Sequence, residues 1–295
     1  MTAHAEIGTA DAPMLTDAIT LRCGTLMPAV GLGLYRIDDA QMAPVVHAAV
    51  GAGYRLFDTA SLYGNERALG KALATCGIRR SELFVTSKLW NSDQGRDSAR
   101  RAALRTLDEV GTDYLDLFLI HWPAADLGQF VPSWEALLEL QQQGVLRAVG
   151  VANFEPDHLT TLIRATGVAP EVNQIELHPH FAQPGLVAVN HAAGVVTQAW
   201  SPLARGGAVL RDPVITRIAR DHRRTPGQVI LRWHLQRAVT VVPKTTSPQR
   251  MRENLDIFSF TLGATEMREI TALDLGARAG PDPRTFSAAE HTPTR

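Results

Sequence analysis

Residues 53–73 read GYRLFDTASLYGNERALGKAL: a short apolar run closed by Asp58, a polar turn carrying Tyr63 and Gly64, then a stretch rich in Ala, Leu, Glu and Lys. That order is strand, loop, helix. A carboxylate at the C-terminal tip of a strand, with a tyrosine five residues on, sets two polar groups where parallel α/β proteins gather their active sites. The same unit recurs along the chain. Strands are expected near 30–32, 55–58, 83–88, 114–121, 148–151, 171–175, 195–199 and 239–242. Helices are expected near 39–52, 66–76, 97–110, 133–143, 156–166, 184–193, 212–236 and 248–257. Runs such as LDLFLI at 115–120 suit strands of a parallel sheet that helices cover on its outer side.

Eight such alternations fit an α/β fold of the closed (β/α)8 TIM barrel type better than an open doubly wound sheet. In front of them, AITLRCGTLMPAV places two short apolar arms around Cys23 and Gly24, the pattern of an N-terminal β-hairpin. Thr225-Pro226 carries a cap and first-turn signal that divides 212–236, so an auxiliary helix is expected there. No composition shift marks a domain boundary. Residues 1–17 are therefore expected to be a mobile leader and 18–295 one barrel domain, with a C-terminal stretch from about 275 that is either a loop over one barrel mouth, as its aromatic Phe286 favours, or disordered.

A formal net charge of -1 points away from nucleic acid and from anionic membrane surfaces as partners. No window approaches the roughly 18 apolar residues of a membrane span, and the first dozen residues lack the features of a secretory signal. Two cysteines, Cys23 and Cys76, match no metal or redox spacing, which favours free thiols in a reducing cytoplasm. The expectation is a cytoplasmic monomer with no metal.

In a barrel, the C-terminal strand ends converge on one face. Asp58 ends the second strand, Tyr63 follows it, Lys88 ends the third and His121 the fourth. Each residue alone has an ordinary structural reading as an ion pair, a cap or a buried polar group. Their convergence favours chemistry. A lysine cation beside a tyrosine stabilises the phenolate and lowers its pKa, Asp58 holds the lysine charged, and the tyrosine can then give a proton to a carbonyl oxygen that His121 orients.

The chain here resembles the aldo-keto reductases, through GYRLFDTASLYGNE, TSKLW, HWP, VGVANF, NQIELHP, AWSPLARG and VPKTTSPQRMRENLDIF in family order, with GLGLYR before them and GPDPRTF after. The likeness is nearest to bacterial 2,5-diketo-D-gluconate reductase-like members. It implies a (β/α)8 barrel that transfers hydride from NADPH to an aldehyde or ketone, with Asp58, Tyr63, Lys88 and His121 as catalytic tetrad. It also implies that Asn153 and Gln174 bind the nicotinamide carboxamide, that Trp200 stacks on the ring, and that Ser201 and Leu203 cover the pyrophosphate. Ala152 stands where a serine is usual, which removes one hydroxyl contact.

No Rossmann fingerprint competes with this, since Gly31-Leu32-Gly33 is followed by Arg36 rather than by a third glycine and a helix. The phosphate site is expected after the eighth strand, where Lys244 and Thr245 precede a helix carrying Arg250, Glu253 and Asn254, with Arg250 and Asn254 on one face. Two cations there suit the 2'-phosphate of NADPH. Tyr35, Trp90 and Trp122 are expected to line an open, permissive pocket for apolar or planar carbonyl compounds. Two other functions compete: an NADPH-binding sensor that regulates a partner, and a lyase in which Lys88 forms a Schiff base.

Overall fold

The computed structural model describes residues 17–288; the leader expected at 1–17 lies almost wholly outside them. Its first strands, β1 (Ala18–Thr20) and β2 (Leu26–Pro28), pair antiparallel as the expected hairpin. Eight parallel strands follow in one sheet: β3 (Gly31–Gly33), β4 (Leu56–Asp58), β5 (Phe84–Leu89), β6 (Leu115–Ile120), β7 (Leu146–Ala152), β8 (Val172–Glu176), β9 (Val196–Trp200) and β10 (Val239–Val241). Each pairs with its sequence neighbour, and a parallel bridge from Val30 to Val241 closes the cylinder.

Side chains alternate across a strand, so every second residue of each strand enters the barrel. The inward rows begin apolar. Leu56, Phe84, Leu117, Leu119, Ala148, Val172 and Val242 form one buried cluster with Leu21 and Met27 of the hairpin, which plugs the end where the strands start. Gly31 and Gly150 belong to this interior because there is no room for more: a Cβ would lie 2.2 Å from Leu56 Cδ2 at the first and 2.6 Å from the Val172 carbonyl at the second. Two residues further along, or four from Phe84, the same rows turn polar, to Asp58, Lys88, His121 and Gln174. The outward faces pack under the helices in a second, larger cluster.

The helices are α1 (Asp39–Ala52), α2 (Glu66–Ala74), α3 (Arg96–Val110), α4 (Phe130–Gln142), α5 (Pro156–Thr166), α6 (Pro184–Ala192), α7 (Pro213–Asp221), α8 (Pro226–Gln236), α9 (Pro248–Leu255) and α10 (Ala264–Thr271). Local chemistry sets their ends. Pro226 opens α8, and Thr225 and Gln228 cap it reciprocally, at 3.2 Å from the Gln228 amide to Thr225 Oγ1 and 2.9 Å from the Thr225 amide to Gln228 Oε1. That cap splits the stretch 212–236 into α7 and α8, as expected. The sequence reading does not include α10. Its one fully buried residue is Ile270, and an ion pair from Arg217 to Glu269 at 2.6 Å and a hydrogen bond between His222 Nε2 and Glu266 Oε1 at 2.9 Å tie it to the α7 segment.

Candidate active site

The inward rows bring the tetrad together at the C-terminal mouth. Lys88 Nζ donates to Asp58 Oδ1 at 2.6 Å and to the Thr59 carbonyl at 2.8 Å. Gln174 Nε2 donates to the other carboxylate oxygen at 2.7 Å and to Gln198 Oε1 at 2.7 Å. The Lys88 and Asp58 side chains are only 1% and 5% exposed, so little water screens the pair. Burial works against the ammonium, but the charge of Asp58, with hydrogen bonds to Asp58 and Tyr63, favours it, and the Lys88 pKa is raised.

Tyr63 closes the short turn Ser61–Tyr63 between β4 and α2, and Gly64 ends that turn in the left-handed region at φ 65°. Its ring lies 5.2 Å from Lys88 Nζ, 5.9 Å from the His121 ring in an edge-on contact, and 5.0 Å from Tyr35. The expected lowering of its pKa is not what the site produces. Burial of the phenol raises the pKa more than the Lys88 cation lowers it, and Asp58 adds to the rise. Tyr63 therefore holds its proton at neutral pH. His121 is shifted well below its ordinary value by burial and by Lys88, so its ring is neutral. Its Nδ1 is buried and has no partner among the described residues.

Trp90 and Trp122 are buried and Tyr35 is 39% exposed. The C-terminal segment crosses this mouth beside the two tryptophans. Phe286 sits 4.6 Å from the Trp122 ring and 6.2 Å from Trp90, and Asn91 Nδ2 donates to the Ala288 carbonyl at 3.2 Å. The loop from 275 is thus a strap with an aromatic anchor.

The residues assigned to the coenzyme fall along the adjoining strand ends. Asn153 is in the left-handed region at φ 63°; its Nδ2 donates to the His121 carbonyl at 2.9 Å, and its Oδ1 accepts from Trp200 Nε1 at 2.8 Å. Ser201 and Leu203 follow β9, half-buried. Lys244 is exposed and Thr245 buried after β10, and Ser247 caps α9. Neither Lys244 nor Arg250 pairs with a carboxylate among the described residues. Arg250 and Asn254 lie one turn apart on the same face of α9 but differ in burial: Arg250 is exposed, while Asn254 is buried beside the Tyr54 hydroxyl. Glu253 accepts from Gln249 at 2.7 Å.

Sequence reasoning missed Gln198 and Glu176. Both lie on inward rows, two residues after Val196 and Gln174, so period-2 counting from those positions finds them. A cavity of about 500 Å³ between α2 and α3 lies apart from the tetrad, and its cations, Arg67 and Arg105, are already paired with Glu109 and Asp93.

A barrel that projects a buried lysine and aspartate pair, a tyrosine and a neutral histidine into one aromatic-walled mouth defines a class of protein, and residues 24–275 match the aldo/keto reductase family model. The chain belongs to that family. It is 46% identical to morphine 6-dehydrogenase of Pseudomonas putida, over 92% of this chain and 97% of that one. It is 43% identical to methylglyoxal reductase DkgA of Escherichia coli strain K12, over 91% and 97%. Among solved structures, a variant of Gox0644 in complex with NADPH superposes with a TM-score of 0.87 at 44% identity, covering 91% of this chain and 98% of that one. A Bombyx mori aldo-keto reductase in complex with NADP gives 0.83 at 33% identity, covering 92% and 95%. No helix among the described residues is long and apolar enough to cross a membrane.

Proposed function

We propose that the chain, with residues 18–295 acting as one barrel unit, is an NADPH-dependent reductase of aldehydes and ketones in which Tyr63 is the general acid. The observation that carries this reading is the buried Lys88–Asp58 pair beneath Tyr63, with the neutral His121 ring beside it. Relatives that are a methylglyoxal reductase and a dehydrogenase support the reaction class. Neighbours in complex with NADPH and NADP support the coenzyme.

The residues present fit a phosphorylated dinucleotide. Lys244 and Arg250 are unpaired cations at the start of α9, where backbone N–H groups also point outward. Gly33 lets β3 approach the chain after β10 closely, since a Cβ there would lie 2.8 Å from the Val242 carbonyl. The amide groups of Asn153 and Gln174 each retain hydrogen-bonding capacity for a carboxamide beyond the bonds they make within the protein. NADPH, when bound, supplies the hydride. Tyr63 gives its proton to the carbonyl oxygen as charge develops there, and Lys88 stabilises the phenolate left behind. His121, neutral, offers one ring N–H to the same oxygen and fixes its direction. Asp58 keeps Lys88 charged and in place.

The same charge disfavours the Schiff-base reading, which needs a neutral amine at Lys88. The decisive measurement is NADPH oxidation across a panel of aldehydes, α-dicarbonyls and keto sugars. Turnover on several is expected; tight NADPH binding with no turnover on any would instead identify a sensor.

A further inference from the structure

Within two motifs of the sequence, NQIELHP and GPDPRTF, Glu176 and Gly280 have no part in the chemistry above, yet the fold joins them. Glu176 ends β8 on the inward row and is fully buried. Its Oε1 accepts from the Ala279 amide at 2.7 Å and lies 3.0 Å from His178 Nε2, and its Oε2 accepts from the Gly280 amide at 2.8 Å. One carboxylate thus holds two successive backbone amides of the strap. The bond to His178 and the two amides keep it ionised against its burial. Gly280 is pressed onto the Trp200 indole, where a Cβ would come within 2.5 Å of Cη2. Trp200 in turn donates to Asn153, and Asn153 to the His121 carbonyl. Six residues past Gly280, the strap sets Phe286 on Trp122 and Trp90.

We propose that Glu176 is a positioning residue that latches the strap to Trp200, so that one buried carboxylate fixes both the indole facing the nicotinamide and the Phe286 wall of the substrate pocket. The proposal rests on the reductase reading for its kinetic part alone. With its oxygens occupied by the strap and His178, Glu176 is a clamp and takes no part in proton transfer. Between residues 275 and 284 the strap has other polar attachments, but none to a fully buried charge. Arg278 and Arg284 reach Glu155 only at 3.4 and 3.5 Å, near the surface, and the Leu275 and Ala277 amides share the His180 carbonyl.

Two variants test the latch. Glu176→Gln keeps the shape but loses the charge and one acceptor, and Gly280→Ala leaves the carboxylate intact and pushes the strap off the indole. Hydrogen exchange of 275–288, measured in the coenzyme-free protein, is expected to quicken about tenfold or more in both, as loss of a charge-assisted bond allows. With NADPH saturating, KM for a small α-dicarbonyl should rise about tenfold and kcat stay within about threefold, while a bulky aromatic aldehyde is affected less. Unchanged exchange in both variants overturns the latch. Faster exchange with unaltered KM, or with kcat falling as much as kcat/KM for both substrates, overturns the positioning role. If the wild-type protein reduces no carbonyl at all, the reductase reading fails and the exchange data still decide the latch.

Discussion

At Tyr63 two opposing effects meet, and their balance sets the direction in which the proton moves most easily. Burial and Asp58 favour the neutral phenol, and Lys88 favours the phenolate. The net rise leaves a protonated acid throughout the neutral range, ready for carbonyl reduction. The reverse reaction needs the phenolate, so alcohol oxidation is expected to quicken as pH rises while reduction stays level from about pH 7 to 9. A pH profile run in both directions checks this. His121 adds no titration in that window, because its pKa is displaced downward. Tyr63→Phe keeps the ring contacts to Tyr35 and His121 but removes the proton, and is expected to slow reduction by at least ~10² with NADPH affinity nearly unchanged. Near-normal turnover in that variant would remove Tyr63 from the mechanism.

At the scale of elements, period and caps explain what could be read. Asp58, Lys88 and His121 were legible because each ends an expected strand and strand ends converge in a barrel, whereas Gln174 came from the family resemblance. The division between α7 and α8 was legible in Thr225, Pro226 and Gln228. The helix α10 was not, since it buries little and its polar ties to α7, Arg217 to Glu269 and His222 to Glu266, are encoded by no periodicity. Gly70, on α2, is a second case of contact hidden from the sequence: a Cβ there would lie 2.0 Å from the Val110 carbonyl of α3, so two helices meet at a glycine that looks like scaffold. The element that bears on coenzyme choice is α9. Arg250 and Lys244 remain for a phosphate, whereas Asn254 turns inward to Tyr54. Arg250→Ala is accordingly expected to weaken NADPH binding by about one to two decades, the cost of one charge-assisted bond, and to leave NADH nearly unchanged. Equal losses for both coenzymes would show that Arg250 does not read the 2'-phosphate.

For the molecule as a whole, acid is the condition its interior resists least. His234 is completely buried, with Nδ1 at 2.8 Å from the Ile230 carbonyl and Nε2 at 3.0 Å from the Leu177 carbonyl. The two carbonyls favour a proton, but burial outweighs them and the pKa falls from 6.5 to about 4. Below pH 6.5 the unfolded chain binds a proton that the native one refuses, so stability is complete above that value and declines as pH falls toward 4. His234 alone accounts for about 2 kcal/mol by pH 5. His121 acts in the same sense, and Glu66, whose burial raises its pKa, acts in the opposite one. Urea unfolding at pH 7 and pH 5 checks this, and equal midpoints would contradict it. By itself the sequence determined the barrel, the order of its strands, and which four side chains reach its mouth, because all three follow from short-range periodicity repeated eight times. Tertiary structure alone decided the sign of the Tyr63 shift, which depends on how much water the folded barrel excludes. It alone showed that Asn254, one turn after the exposed Arg250, is buried beside Tyr54. It also decided that Glu176 meets Gly280, a contact between residues 104 positions apart that only closure of the mouth brings into range.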